Sequence, residues 1–175
     1  NYLQESQEEF DQRMKWFTDA KYGMFIHFGL YSQLGGVWKN DTINGYAEWI
    51  QARADIPAQE YAMLTHTFNP QDFDADAIAS LAKDAGMKYI VITSKHHEGF
   101  CLWESKYTNF DVSNTPFKGR DILAELSEAC RKHGLRFGTY YSIIDWHHIT
   151  QQRNVTGHNH WTHWGHVQMK ARKRP

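Results

Sequence analysis

Apolar residues near the start of the chain follow two different spacings. Within residues 5–19, Phe10, Met14 and Phe17 lie three or four positions apart, which predicts an amphipathic helix. Residues 22–29 contain a short apolar run bounded by glycines, which predicts a buried strand. The chain therefore begins with a predicted helix followed by a predicted strand.

A long polar and aromatic stretch separates this strand from the next periodic segment. It covers residues 30–55 and contains turn signals such as Gly35-Gly36. Pro57 then begins a short predicted helix that ends before position 69, where an Asn-Pro pair disfavours further helix. The stretch is predicted to be a loop with little regular structure.

Residues 74–85 have the pattern of a helix with a defined beginning and end. Asp74 is a predicted N-terminal cap, and Gly86 stands where a left-handed terminating residue is needed. The predicted apolar face contains Ile78, Leu81, Ala82 and Ala85. The β-branched residues in 88–94 then predict a strand.

The next unit repeats this order of signals. Asp121 is a predicted cap, Gly134 ends the helix, and residues 135–144 predict a third strand. The predicted helix face contains Ile122, Leu126, Ala129, Cys130 and His133.

Strands that alternate with helices predict an α/β fold with parallel strands joined by crossover helices. A doubly wound sheet and a (β/α)8 barrel both begin in this way. No glycine-rich phosphate loop follows the first strand, which disfavours a dinucleotide-binding fold. A full barrel needs about 250 residues, so three βα units would be only the first part of one.

Composition and charge exclude several functional classes. Hydrophobic residues make up 41% of the chain and charged residues 22%, which is typical of a globular protein and not of a disordered one. A formal charge of −1 disfavours nucleic-acid binding. No stretch approaches the roughly 20 apolar residues of a membrane helix. Cys101 and Cys130 form neither a CxxC motif nor a disulfide framework, and each is predicted to be a small buried residue.

Polar side chains follow the carboxyl end of each predicted strand. His27 ends the first strand, His96 and His97 follow the second, and Tyr140 and Tyr141 end the third. Each of these residues taken alone is more often an ordinary core or loop residue than a functional one. The carboxyl ends of parallel strands meet at one edge, which is where barrel enzymes build their active sites. Their convergence predicts a binding site there.

The residue types in this predicted site suit a ligand with many hydroxyl groups. A neutral imidazole offers one hydrogen-bond donor and one acceptor, so it can bind a hydroxyl group in either direction. Glu48 and Trp49, in the long loop, add an acceptor and a flat apolar surface. The set predicts a sugar-like ligand without identifying the sugar.

A metal site is the alternative that the histidine content raises. His158, His160, His163 and His166 have a spacing compatible with zinc. No carboxylate or cysteine accompanies them, and metal-dependent barrel hydrolases typically carry His-x-His after the first strand, where this chain has His27-Phe28-Gly29. We therefore expect no metal and no other cofactor.

An ordered series of motifs resembles glycoside hydrolase family 29, the α-L-fucosidases. The longest are AKYGMFIHFGLYS at 20–32, AGMKY at 85–89, SKHHEGF at 94–100 and GTYYS at 138–142. Shorter matches are Glu48-Trp49, Trp103, Ser105, Thr108, Asn114-Thr115, Arg120-Asp121 and Asp145-Trp146. The resemblance covers residues from about 15 to 148, and more loosely to 170.

This resemblance implies a fold, an activity and a set of site residues. Family members have a (β/α)8 barrel followed by a β-sandwich and remove terminal α-L-fucose from glycans with retention of configuration, without a cofactor. The residues implied to bind substrate are His27, Glu48, Trp49, His96, His97 and a tyrosine ending the third strand, for which Tyr141 is preferred over Tyr140.

The same resemblance implies catalytic carboxylates that this sequence does not contain. The family nucleophile is an aspartate in a Trp-Phe-Asp-Gly-like motif after the fourth strand, and the acid/base glutamate follows later. No such motif occurs here. We therefore expect residues 1–175 to be the N-terminal part of the catalytic domain, with both carboxylates beyond residue 175.

Two interpretations follow for this chain. The first is part of a fucosidase that acts on fucosylated oligosaccharides or glycoconjugates and is secreted, periplasmic or lysosomal. The second is a non-catalytic fucose-binding fragment or pseudoenzyme. Neither nucleic acid nor membrane is an expected partner, and a homo-oligomer is compatible with the sequence.

Overall fold

The computed structural model describes residues 4–148. A parallel sheet of three strands and a separate two-stranded antiparallel ribbon form its β-structure. The strands in chain order are β1 Met24–Ile26, β2 Val37–Trp38, β3 Asp41–Thr42, β4 Tyr89–Lys95 and β5 Arg136–Tyr141. Strands β2 and β3 form the ribbon, and the other three form the sheet in the order β1-β4-β5.

Both strand pairs of the sheet are parallel, as the alternation of strands and helices predicts. Met24 lies opposite Ile90, and Tyr89 lies opposite Arg136. The register between β4 and β5 shifts between Thr93 and Lys95. Because the strands run in the same direction, His27 and His96, which follow β1 and β4, come to the same edge of the sheet.

Five α-helices accompany the strands within residues 4–148. They are α1 Gln7–Ala20, α2 Ile50–Arg53, α3 Ala58–Ala62, α4 Ala75–Asp84 and α5 Ile122–Lys132. The predicted caps of the two crossover helices are confirmed. A side-chain oxygen of Asp74 accepts the Ala77 N–H, and one of Asp121 accepts the Ala124 N–H, each at 2.9 Å. These bonds satisfy N–H groups that lack a partner within the helix.

The core lies between the sheet and helices α4 and α5. Ile90 and Ile92 of β4 are fully buried, as are Ile122 and Leu126 of α5. Burying a side chain of this size contributes about 1.5–3 kcal/mol relative to leaving it exposed. Cys101 and Cys130 are buried and free, as predicted.

The predicted apolar face of α4 is wrong at two positions. Leu81 is 64% exposed and Ala85, at the end of the helix, is exposed as well, whereas Ala75, Ala79 and Ala82 are the buried residues of the helix. Small side chains let the helix backbone approach its neighbours closely, so the alanine face packs inward and the larger leucine points outward.

The first helix and strand are also less buried than their apolar pattern predicts. Helix α1 has no buried residue, and Phe10 and Phe17 are both more than 40% exposed. Strand β1 is the edge strand of the described sheet, and its Phe25 is 51% exposed. An edge strand has a neighbour on one side only, which leaves part of its surface uncovered.

The stretch between β1 and α4 contains regular structure where residues 30–55 are predicted to be a loop, namely the 3₁₀ helices Leu30–Gln33 and Ala47–Trp49. The helix predicted after Pro57 is present as α3 followed by the 3₁₀ helix Met63–His66. Tyr61 and Phe68 from this stretch are buried in the core. The packing of this stretch positions Trp49 beside His97.

Candidate active site

Three histidines form a continuous cluster at the carboxyl ends of β1 and β4. The ring centroids of His27 and His96 are 5.5 Å apart, and those of His96 and His97 are 4.2 Å apart. His27 is exposed, whereas His96 and His97 are only 4% and 8% exposed. The structure thus brings together the three histidines that the sequence predicts, with His27 on the solvent side.

A threonine from the neighbouring strand fixes the backbone next to His27. The Thr93 hydroxyl accepts the N–H of Phe28 and donates to the carbonyl oxygen of the same residue, both at 3.0 Å. The Tyr31 hydroxyl is 3.2 Å from the same Thr93 oxygen. The end of β1 is therefore tied to β4 beyond its last paired residue.

A buried carboxyl group, that of Glu98, comes directly after these histidines in the sequence. Glu98 is 1% exposed, and its side chain accepts the Leu30 N–H at 3.2 Å and the Tyr61 hydroxyl. Burial raises the pKa of Glu98 to about 8, and the hydrogen bond from Tyr61 opposes this increase. Glu98 is buried and bonded to Leu30 and Tyr61, so its side chain supports the segment that follows His27.

His96 is held as a neutral imidazole. Burial lowers its pKa to about 3, and the neighbouring His97 and His27 contribute to this decrease. Its ring stacks on Tyr140 at 5.7 Å and meets Tyr31 edge-on at 5.8 Å. At neutral pH the ring therefore offers one donor and one acceptor.

His97 is also neutral and is tied to the loop after β5. Burial and the nearby positive charge of Lys95 lower its pKa, whereas the negative charge of Glu48 opposes them. Its Nδ1 atom lies 2.6 Å from the Ser142 hydroxyl oxygen. Glu48 is half-buried and close enough to influence His97 electrostatically, so the structure places this predicted residue near the cluster.

Two tryptophans form an aromatic wall beside His97. Trp49 is 5.1 Å from the His97 ring, Trp146 is 5.3 Å from it, and the two tryptophans are 5.4 Å apart. Trp146 is 2% exposed, whereas Trp49 is 37% exposed. The wall therefore has a fixed inner ring and an outer ring that is open to solvent, which suits stacking against an apolar sugar face.

An ion pair fixes the loop that carries Trp146. Lys95 Nζ lies 2.8 Å from Asp145 Oδ2, and the lysine side chain is only 5% exposed. The Asp145 Oδ1 atom accepts the N–H groups of His147 and His148, each at 3.0 Å. The backbone N–H of Trp146 donates to the backbone carbonyl oxygen of His97 at 2.7 Å. The loop is therefore tied directly to the histidine segment.

Of the two adjacent tyrosines, Tyr140 lies against the histidine cluster and Tyr141, the one preferred from the sequence, does not. Tyr140 is half-buried and lies against His96, whereas Tyr141 is 57% exposed. The Tyr141 ring is 5.0 Å from Lys95 Nζ and 6.3 Å from Trp103. Successive residues of a strand point to opposite faces, and the register of β5 places Tyr140 on the face of the cluster.

A metal centre finds no support within residues 4–148. No group of three or more His, Cys, Asp or Glu side chains there is arranged to hold an ion. His147 stacks on Phe110 at 3.9 Å. The alternative based on His158, His160, His163 and His166 lies outside the described residues.

The sequence model of the α-L-fucosidase family matches residues 1–172. The chain belongs to the α-L-fucosidase family. Among curated relatives, it is 39% identical over 142 residues to human plasma α-L-fucosidase and 34% identical over 140 residues to mouse tissue α-L-fucosidase. These alignments cover 76% of this chain but only 30% and 31% of the relatives.

Solved fucosidase structures agree with the fold. An α-L-fucosidase of Lactobacillus casei, solved without ligand and with α-L-fucose product, matches at 51% identity with a TM-score of 0.75. The alignment covers 78% of this chain and 43% of the Lactobacillus casei chain. A family 29 enzyme of Bacteroides thetaiotaomicron matches at 48% identity, with a TM-score of 0.74 and coverage of 77% and 30%.

Two residues beside the cluster are absent from the set predicted from the sequence. Trp146 completes the aromatic wall, and Ser142 contacts His97. Both belong to the segments that carry the family resemblance, so the signal was present. Single-sequence patterns do not show which way each side chain points.

No helix within residues 4–148 is long and apolar enough to cross a bilayer.

Proposed function

We propose that this chain is the N-terminal part of the (β/α)8 catalytic barrel of a retaining α-L-fucosidase. The proposed substrate is a fucosylated oligosaccharide or glycoconjugate, from which the enzyme removes terminal α-L-fucose. The observation that carries the proposal is the cluster of His27, His96 and His97 beside the wall of Trp49 and Trp146.

The proposed role of the histidines is to bind the hydroxyl groups of fucose. A buried neutral imidazole replaces the hydrogen bonds that a hydroxyl group makes to water, and no net charge has to be desolvated. The low pKa of His96 keeps this ring neutral throughout the physiological range. The half-buried Glu48 adds an acceptor for a further hydroxyl group, and Tyr140 adds a donor.

The proposed reaction requires two carboxyl groups. One attacks the anomeric carbon to form a covalent glycosyl-enzyme, while the other protonates the leaving oxygen and later activates water. We assign both groups to parts of the gene product outside this chain. Glu98 and Asp145 are not candidates, because the first is buried and the second is paired with Lys95.

Hydrolysis of 4-nitrophenyl α-L-fucopyranoside by the full-length gene product tests the proposal. This compound is the substrate bound in a mutant of the Lactobacillus casei enzyme. His27→Ala is expected to raise KM, because it removes one fucose contact from the cluster. His66→Ala is the control, since His66 is exposed and belongs to the Met63–His66 turn. Full-length protein without fucosidase activity would contradict the proposal.

The same preparation separates the alternative interpretation. A non-catalytic fucose-binding protein would bind fucose in a calorimetric titration, with binding lost in His27→Ala, and would release no nitrophenol.

We further propose that the enzyme is secreted, periplasmic or lysosomal. Fractionation that finds the full-length protein only in the cytosol would contradict this location.

A further inference from the structure

The contact between His97 and Ser142 determines which nitrogen of His97 carries its proton. The Ser142 oxygen lies 2.6 Å from His97 Nδ1 and 2.8 Å from the carbonyl oxygen of Ile144. Ser142 is 2% exposed; its contact with His97 is buried, and its contact with Ile144 is partly buried. A hydroxyl group has one proton to donate and two lone pairs with which to accept.

Only one assignment of protons satisfies both contacts. The carbonyl oxygen of Ile144 can only accept, so the single Ser142 proton points to it. The Ser142 oxygen is then an acceptor towards His97, and Nδ1 must carry a hydrogen to donate. The opposite assignment would leave the Ile144 carbonyl without its 2.8 Å donor, at the cost of an unsatisfied polar group.

Neighbouring rings hold the imidazole in this orientation. Trp49 and Trp146 pack edge-on against it at 5.1 Å and 5.3 Å, and His96 lies 4.2 Å away. The segment that carries Ser142 is fixed as well, because its N–H donates to the Lys95 carbonyl oxygen at 2.9 Å. Both partners of the contact are therefore held in place by other parts of the site.

We propose that Ser142 is a positioning residue that fixes His97 as the Nδ1–H tautomer, so that Nε2 faces the ligand as a hydrogen-bond acceptor. The hydrogen bonds that the structure gives His97 within residues 4–148 use its Nδ1 atom and its backbone carbonyl oxygen, and none uses Nε2. A ligand hydroxyl group at this position must then act as a donor. A fluorine atom or a hydrogen at the same carbon could not replace it.

The ligand part of this inference rests on the proposed function, whereas the tautomer does not. The tautomer is measured without any sugar, by long-range ¹H–¹⁵N NMR of the full-length protein labelled at histidine. The His97 signals are assigned from their loss in His97→Gln. We expect a protonated Nδ1 and an unprotonated Nε2 in the wild type. An Nε2–H tautomer in the wild type would overturn the proposal.

Two serine variants separate positioning from packing. Ser142→Ala removes the acceptor for Nδ1–H and is expected to move His97 towards the Nε2–H tautomer. Ser94→Ala is the matched control, because the buried Ser94 hydroxyl also donates to a backbone carbonyl, that of Tyr140 in β5, at 2.9 Å. The control should leave the His97 tautomer unchanged. A His97 spectrum unaltered by Ser142→Ala would refute the role of Ser142.

Fucose titration and kinetics test the ligand part. Fucose is expected to shift the His97 Nε2 signal, and Ser142→Ala to raise KM for the nitrophenyl fucoside roughly three- to tenfold, the value of one neutral hydrogen bond. Equal increases in Ser142→Ala and Ser94→Ala would show a packing effect only. If the tautomer is as expected but fucose leaves Nε2 unchanged, the ligand assignment fails while the tautomer stands. The proposed function fails only if the same full-length protein also releases no nitrophenol.

Discussion

A Cβ atom placed on Gly29 would overlap Oε1 of Glu98 and lie 2.7 Å from Cε1 of Tyr31. The backbone that follows His27 therefore passes directly beside a buried carboxyl group. The φ angle of Gly29 is 177°, an extended value that any residue adopts, so the constraint is steric. Glycine permits this close approach, and with it the hydrogen bond from Leu30 to Glu98.

Gly29→Ala is expected to destabilise the protein by about 1–3 kcal/mol, the cost of overpacking a closed site. The same change should raise KM for fucosides, because it displaces the segment that carries His27. Gly138→Ala is the control, since a Cβ there would meet Val91 Cγ2 at an ordinary 3.4 Å. Denaturant midpoints and kinetics of both variants check this. Equal stability of the two variants would contradict the proposed contact.

The raised pKa of Glu98 predicts how stability changes with pH. Between about pH 4.5 and 8 the unfolded carboxyl group has lost its proton while the folded one retains it. The folded state therefore binds more protons, and this contribution to stability decreases as pH rises. Glu98→Gln cannot titrate, so the wild type should lose stability relative to this variant between pH 5 and 8. Denaturation at several pH values measures the difference, and a constant difference would contradict the assignment.

Tyr61→Phe provides an independent test of the same group. The Tyr61 hydroxyl donates to the Glu98 carboxyl group and lowers its pKa against the larger effect of burial. Removing that hydroxyl should raise the pKa of Glu98 further and extend the loss of stability to higher pH. A pH profile identical to that of the wild type would show that this bond contributes nothing.

The sequence predicts the strands and helix caps better than it predicts side-chain directions. Asp74 and Asp121 cap their helices as expected, because a cap depends on residues close in sequence. The outward position of Leu81 depends on how tightly α4 packs against its neighbours, which a single helical pattern does not contain. The histidine cluster could be predicted because parallel strands bring their carboxyl ends together. The choice of Tyr140 depends on the register of β5, which only the structure provides.

The positions of the two adjacent tyrosines predict opposite results for the same substitution. Tyr140→Phe is expected to weaken fucoside binding roughly tenfold or less, because the Tyr140 ring lies in the cluster and can supply one hydrogen bond. Tyr141→Phe is expected to leave KM unchanged, since its ring lies beside Lys95 and Trp103. Kinetics with a nitrophenyl fucoside compare the two variants. A larger effect of Tyr141→Phe would restore the preference drawn from the sequence.

The Lys95–Asp145 pair is expected to contribute more to stability than ion pairs at the surface. Lys95→Met leaves the Asp145 carboxylate, whose side chain is 26% exposed, without its cation. We expect a loss of about 1–3 kcal/mol, which is smaller than for a fully buried pair because solvent screens the carboxylate in part. Lys15→Met is the control, since the exposed Lys15–Asp19 pair should contribute less than about 0.5 kcal/mol. Similar denaturation midpoints for both variants would contradict the structural role of Lys95.

The neutral state of His96 predicts a cost at acidic pH. An unfolded histidine binds a proton below about pH 6.5, whereas burial lowers the pKa of folded His96 to about 3. Between these values the unfolded state binds more protons, so this contribution to stability is lost as pH falls, by up to about 1.4 kcal/mol per pH unit. His96→Gln removes the titrating group and should therefore lose less stability than the wild type between pH 7 and 4. His66→Gln, at an exposed position, should follow the wild-type profile. If all three proteins lose stability in parallel, the pKa of His96 is the same in the folded and unfolded states, and burial does not hold the ring neutral at acidic pH.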